Sequence, residues 1–420
     1  MSITTFFSQL NHKLDFVNLV SGAVLGTLLT YLVPFLTRRV RLHRKRRLIR
    51  LQQAASGRNL YEWLISYYER NGHLEDLYTC SLGNLTDKVP ILTKRNWQHV
   101  SPIQLSGESL VRHDDGVERK FPVDERLLAK RAFMGQKLFN DPSLYLDALE
   151  EEPNSIILRV KSCKYFELAT SLIRLEEETY DAVRRRRRSS LLPIRNNHFS
   201  SVDQAARCSL KPFSVGCAGL MALEVEGTYE FIIQTRSSAT ITAGNLLAGI
   251  PQFGLMPVPQ HDENLGILPY NFVKEYCEEL YNREDLVQLM QSRHLPASWL
   301  GSFPEAGELL GMIHNGTCRL YSLGFGIDAL SGTGTIAMLA LIKNAEFAKS
   351  LRSKFAANWE IAQRQAGVKS IEPLRFVNWH SVEFEDWLRS GTLYYGSAFT
   401  IALAVKFLST LEVGKGTDKK

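Results

Sequence analysis

Apolar residues run without a charged interruption from Phe16 to Leu36, a stretch of 21 residues. At about 1.5 Å per residue such a helix covers a hydrocarbon core of about 30 Å. The pattern therefore predicts a single N-terminal transmembrane helix over 16–36, behind a short extracytoplasmic N-terminus of residues 1–15. Positive charge follows the run instead of preceding it, which argues against a cleaved signal peptide and sets residue 37 onward in the cytoplasm. Past a basic segment at 37–50, Leu, Ile, Trp and Tyr recur at helical spacing through Leu60-Tyr-Glu-Trp-Leu-Ile-Ser-Tyr-Tyr68 and predict a helix over 42–71. Residues 75–122 carry short apolar runs between Pro90, Pro102 and glycine turns, the pattern of strands and loops. A helix is expected over 123–149 with Asp124 as its cap, then a strand at Ile156–Val160 and a helix through Tyr165–Val183. The polar stretch 189–211 reads as a linker, closing an α/β region at 51–188.

From Pro212 the texture changes. Cys217–Val225 and Tyr229–Thr235 are apolar, β-rich runs around Glu226-Gly227-Thr228, a hairpin signal. A stretch punctuated by Gly and Pro, Gly244–Pro259, leads to a helix over 270–282. Arg319–Ile327 and Thr333–Ile342 form a second strand pair about Ser331-Gly332, and Glu346–Gln365 and Ser397–Leu411 are amphipathic helices. This order predicts an α+β chain with a mixed middle region and a C-terminal layered domain over 212–411, ahead of a tail at 412–420.

Charge alters the picture in one place only. Residues 38–50 hold eight positive charges and no acid, so the net +6 of the 420-residue chain leaves the remainder slightly negative. A basic pI confined to one segment suits contact with anionic lipid headgroups and gives no reason to expect specific DNA or RNA binding. In a reducing compartment the six cysteines are expected as free thiols. Gly22 and Gly26 form a GxxxG, so a homo-oligomer packed through the span stays open.

The candidate chemistry lies in Lys274-Glu-Tyr-Cys-Glu-Glu-Leu280. Glu275, Glu278 and Glu279 stand at i, i+3, i+4 and share one helix face. Such a face can hold a hard divalent cation through oxygen ligands. A solvated face with Lys274–Glu278 and Glu279–Arg283 ion pairs accounts for the same spacing. No GxSxG elbow is present, and Val413-Gly-Lys-Gly-Thr417 lacks both the Ser or Thr and the preceding strand that a phosphate loop requires.

The carboxylate helix, the strand Ile232-Ile-Gln-Thr-Arg-Ser-Ser238, the crossing Gly249-Ile-Pro-Gln-Phe-Gly254 and the small-residue helix Gly396-Ser-Ala-Phe-Thr-Ile-Ala402 together resemble the Nudix superfamily over about 210–410. They look like Nudix-like proteins of bacteria, and the membrane-attached arrangement resembles that of Nudix-like domains predicted to accompany cyclic-oligonucleotide synthases in bacterial antiviral systems. The resemblance implies an α/β/α sandwich, with Mg²⁺ on Glu275, Glu278 and Glu279 and phosphate contacts from Arg236 and Lys274. The superfamily motif places a glycine and a glutamate where this chain has Gln260 and Gly266, and its arginine is Lys274 here. Three functions follow as expectations at the cytoplasmic face of the inner (plasma) membrane. One is a Mg²⁺-dependent hydrolase cleaving a phosphoanhydride in a nucleoside-diphosphate-linked molecule. The second is a sensor that binds a nucleotide second messenger without cleaving it, and the third is a membrane-tethered scaffold.

Overall fold

Leucine and tyrosine at helical spacing bury one stripe of the first described helix, α1 (Arg58–Arg70), through Leu60, Tyr61, Leu64, Tyr67 and Tyr68. The computed structural model describes residues 38–39, 58–105, 110–114, 119–152, 155–185, 191–237, 239–240, 244–259, 265–283, 286, 296–355 and 374–417. The chain divides into two compact units, Met1–Ala54 and Ala55–Lys420, and in the first only Arg38 and Arg39 are described.

After α1 come four strands, β1 (Leu77–Leu82), β2 (Leu85–Leu92), β3 (Gln98–Gln104) and β4 (Val111–His113). Helix α2 (Glu125–Met134) starts where expected, with the Asp124 side chain accepting from the Leu127 amide, and stops at Gly135, whose φ of 101° ends it in the left-handed region. The expected helix over 123–149 is therefore half strand, because β5 (Pro142–Glu151) begins at a proline and buries Ser143, Leu144, Tyr145 and Leu146 in succession. Next come β6 (Ile156–Lys164), α3 (Tyr165–Arg185), α4 (Pro193–His198) and α5 (Val202–Ala206). The last two occupy the stretch expected as a linker, and they are packed in: Arg195, Val202 and Ala205 are buried.

The hairpin of β7 (Phe213–Val225) and β8 (Thr228–Thr235) turns at Glu226 and Gly227, with φ of 51° and 83°. Strands β9 (Leu247–Gly249) and β10 (Gln252–Gly254) follow, then α6 (Ile267–Tyr281), α7 (Pro304–His314), β11 (Cys318–Asp328), β12 (Gly334–Ile342), α8 (Ala345–Lys354), β13 (Leu374–Asn378), α9 (Glu383–Ser390) and α10 (Tyr395–Thr417). The described strands join in one thirteen-stranded sheet whose main path runs β1-β2-β11-β12-β7-β5-β6-β4. At its centre β7 runs parallel to β12 in unbroken register from Val215↔Gly334 to Leu223↔Ile342.

Side-chain alternation along these strands sorts the core into two layers. Cys217, Met221 and Leu223 of β7, with Ile336, Met338 and Ala340 of β12, face the helices α6, α7 and α8. Leu220 and Ala222, with Ala337, Leu339 and Leu341, face α1, α9 and α10. Helices cover both faces, which is why the central strands read as continuous apolar runs.

This corrects the expected fold class. Among the described residues no helix is long and apolar enough to cross a membrane, and 16–36 and 40–57 lie outside them. The chain is mixed α/β around one large mixed sheet. Strands of the middle region pair directly with those of the C-terminal region, β2 and β3 with β11 and β5 with β7. The longest described apolar helix, α10, is spent as core: Ala398, Phe399, Ile401, Leu403 and Leu408 bury against the sheet.

Candidate functional site

Helix α6 is buried nearly all round, with only Glu278 and Tyr281 partly exposed. Asn271 fixes it to the exit of β10 by accepting from the Met256 amide and donating to the Met256 carbonyl, at 3.0 and 2.9 Å. Its left-handed end is Asn282, φ 55°. The solvated-face reading of the three glutamates fails on this burial. Glu275 and Glu279 are buried, Glu278 is half-buried, and Arg283 pairs with Glu305.

The glutamates do not act as one group. Lys274, 2% exposed, points its ammonium between Glu275 Oε1 at 2.7 Å and Glu278 Oε2 at 2.9 Å. Burial works to lower the Lys274 pKa, but the two carboxylates outweigh it and hold the ammonium well above its ordinary value. Cys217 lies beside Glu275, and its thiol is pushed well up by burial first and by that carboxylate second.

Glu279, fully buried, belongs to another cluster. Its Oε2 accepts from Gln234 Nε2 of β8 at 3.2 Å and its Oε1 from the Gln252 amide of β10 at 3.3 Å. Arg236 Nη1 lies 3.8 Å from Oε1. Glycines make this geometry reachable. A Cβ on Gly219 would strike the Pro251 carbonyl oxygen, and one on Gly249 would strike that of Gly219, so the crossing lies directly on β7. Gln252 Nε2 then donates to the carbonyls of Gly219 and Gly249, both at 3.0 Å. The small-residue start of α10 seals the other side: the Gly249 amide donates to Ser397 Oγ and Thr400 Oγ1 donates to the Ala218 carbonyl.

The donor set does not fit the expected Mg²⁺ on Glu275, Glu278 and Glu279. Two of the carboxylates share a buried ammonium and the third is held by β8 and β10. Among the described residues no group of three or more His, Cys, Asp or Glu is set to hold a metal ion.

Beyond Arg236, itself buried, the loop doubles back: the Arg236 amide donates to Leu246 O and the Asn245 amide to Arg236 O, at 2.9 and 3.0 Å. Its near arm docks on the end of α2, with Gln136 Nε2 donating to Thr240 O at 3.0 Å and the Lys137 amide to Ala239 O at 2.9 Å. Sequence reasoning missed what gathers there. Arg131 of α2, fully buried, donates from Nη2 to Glu176 Oε2 of α3 at 2.9 Å. Burial pushes Glu176 up to about 7, against the pull of Arg131 and helped by Asp328. Asp328 Oδ1 accepts from the amides of Leu330 and Ser331, and Oδ2 from the Tyr394 hydroxyl at 3.2 Å. Burial drives the Tyr394 hydroxyl far up, Asp328 adds to this and Arg236 opposes it. Arg195 braces the same turn, donating to the carbonyl of Ala329 and to Thr179 Oγ1. The signal was faint: Glu176 sits in a run of three acids that spacing alone would pair with the arginines after it, and Arg195 in a polar stretch.

No protein-family model matches this chain, and no curated protein matches it.

Proposed function

We propose that this protein binds a nucleotide derivative through its phosphate groups at Arg236, beside Glu279, and does not hydrolyse it with a metal held on α6. The observation that carries this reading is the Lys274 ammonium: buried, it already satisfies Glu275 and Glu278 at hydrogen-bond distance, so a Mg²⁺ ion there would have to displace a like charge from a desolvated site. The resemblance to Nudix-like domains supplies the ligand class, and an arginine at the end of β8 supplies a planar fork that suits phosphate oxygens. Glu279 and Gln234 hold the strand end and the helix together and position Arg236.

The test is a panel of dinucleoside polyphosphates, nucleotide sugars and cyclic oligonucleotides, presented to the full chain with and without Mg²⁺. The reading expects a thermal shift with at least one ligand, its loss in Arg236→Gln, and no turnover. Mg²⁺-dependent turnover that vanishes in Glu279→Gln overturns it in favour of the hydrolase.

A further inference from the structure

We propose that a surface formed by residues 119–123, Phe139 and Lys164 docks on a bilayer with anionic headgroups. Val123 and Phe139 enter the interface, and Arg119, Lys120 and Lys164 meet the lipid phosphates. Exposure is the first sign. Among the described residues four large apolar side chains are exposed, and Val123, at 41%, and Phe139, at 50%, are two of them. Exposed apolar residues scattered singly are ordinary, whereas two at one place beside half-buried Phe121 and Phe166 form a patch.

Hydrogen bonds bring them to that place. The amides of Phe121 and Lys164 donate to the two oxygens of one carboxylate, Glu167 Oε1 at 2.9 Å and Oε2 at 2.8 Å. The Asp124 amide donates to Thr170 Oγ1 at 3.1 Å, and the Phe166 amide donates to Asn140 Oδ1 at 3.0 Å. Residues 121–124 and 139–140 are thus both fixed to the opening turns of α3. Beneath them Leu127 and Leu138 pack on one small cluster, Leu128, Ala169 and Ile173.

Charge decides the occupant. Arg119, Lys120 and Lys164 are exposed, and the Arg119 guanidinium lies 5.7 Å from the centre of the Phe121 ring. Two of the acids nearby are spent: Glu167 is buried on its two amides, and Asp124 caps α2 and meets Arg174 at 3.3 Å. Glu125 is exposed and Asp141 half-buried, so cations outnumber acids at the surface. A bilayer interface takes both kinds of side chain at once, apolar ones at the acyl boundary and cations among the phosphates. A nucleic-acid backbone would satisfy the cations and give Val123 nothing to enter. The chain also carries eight positive charges over 38–50, and stable attachment to a membrane surface takes two signals.

The six native cysteines are buried, so Val123→Cys in the full chain accepts a polarity-sensitive fluorophore at that position alone. The probes are vesicles of phosphatidylcholine, and of equal parts phosphatidylcholine and phosphatidylserine. A blue shift, with quenching by spin-labelled lipid, is expected on the mixed vesicles and not on phosphatidylcholine. The same fluorophore on Val382→Cys should stay in water. Because the signal is local, attachment through any other segment does not imitate it. Lys120→Glu with Lys164→Glu should weaken the response about twenty-five-fold, at about five-fold for each lysine. Phe139→Ser, which removes a ring and no charge, should weaken it about ten-fold. A fluorophore that stays in water on both vesicles overturns the proposal, as does an equal shift on phosphatidylcholine, at Val382 or in the double variant. Binding of a single-stranded oligonucleotide that is lost in the double variant, without any vesicle response, would assign the cations to nucleic acid and overturn it too.

Discussion

Lys274 is the residue on which the two readings of α6 divide, and its replacement tests both the packing and the chemistry. Lys274→Met leaves Glu275 and Glu278 facing each other across a buried gap, so we expect a loss of about 3–5 kcal/mol in stability. The same change vacates a site lined by two carboxylates. Added Mg²⁺ should then recover part of the lost melting temperature in the variant and do nothing for wild type; a variant as stable as wild type would show that the ammonium is not the counter-charge. Glu176 gives a second residue-scale prediction. Its folded value of about 7 lies above the ordinary 4.5 because of burial, and Arg131, Glu177 and Asp328 surround it. A raised carboxyl binds its proton more tightly in the folded state, so its contribution is full below about pH 4.5 and is lost as pH rises through about 7. At about 1.4 kcal/mol per unit this is a decline of about 3 kcal/mol over that window. Asp328, also raised by burial, works in the same direction. Glu176→Gln should flatten most of the slope in urea midpoints measured from pH 4.5 to 7.5; an unchanged slope would place the titration elsewhere.

At the scale of elements, the glycines where β7 meets the crossing and those of helices should respond to substitution with opposite signs. Gly219→Ala forces a methyl into the Pro251 carbonyl and should cost about 1–3 kcal/mol. Gly311 lies inside α7 with nothing within 4 Å of an added Cβ. Gly311→Ala should therefore stabilise by about 0.5–1 kcal/mol, and denaturant midpoints of the two variants read the contrast directly. Which elements were legible in the sequence follows from where their signals are local. Asp124 as a cap, the Glu226-Gly227 turn and the apolar runs of β7, β8, β11 and β12 each carry their cause within a few residues. The strand β5 was hidden because Tyr145, Ala148 and Leu149 stand at the helical spacing i, i+3, i+4, and what decides it is pairing with β6 and β7, more distant in sequence or across a turn. The candidate site was legible only in part: α6 and Arg236 could be singled out, whereas the row through Arg131, Glu176, Asp328 and Tyr394 exists only once α2, α3, β11 and α10 converge. No spacing rule joins residues that far apart in the chain.

For the molecule as a whole, the sheet decides whether the C-terminal region can stand alone. Residues 212–411 contain the hairpins, the crossing and the carboxylate helix, yet their strands are completed from outside. Ile327 and Asp328 pair with Leu92 and Ile91, Tyr321 and Ser322 with Gln104 and Ile103, and Ser214 and Phe213 with Tyr145 and Leu146. The same core that holds Cys217 and Met221 holds Leu92, Trp97, Leu144 and Leu146, and the Trp97 ring meets Phe325 at 5.4 Å. Cutting the chain at 211 would expose those apolar faces together with unpaired strand edges, both of which drive aggregation. We therefore expect the fragment 212–411 to be insoluble or to bind a hydrophobic dye, and Ala55–Lys420 to unfold in one transition with coincident fluorescence and circular dichroism. Two separate transitions, or a soluble fragment with native-like chemical-shift dispersion, would mean that the shared strands contribute little.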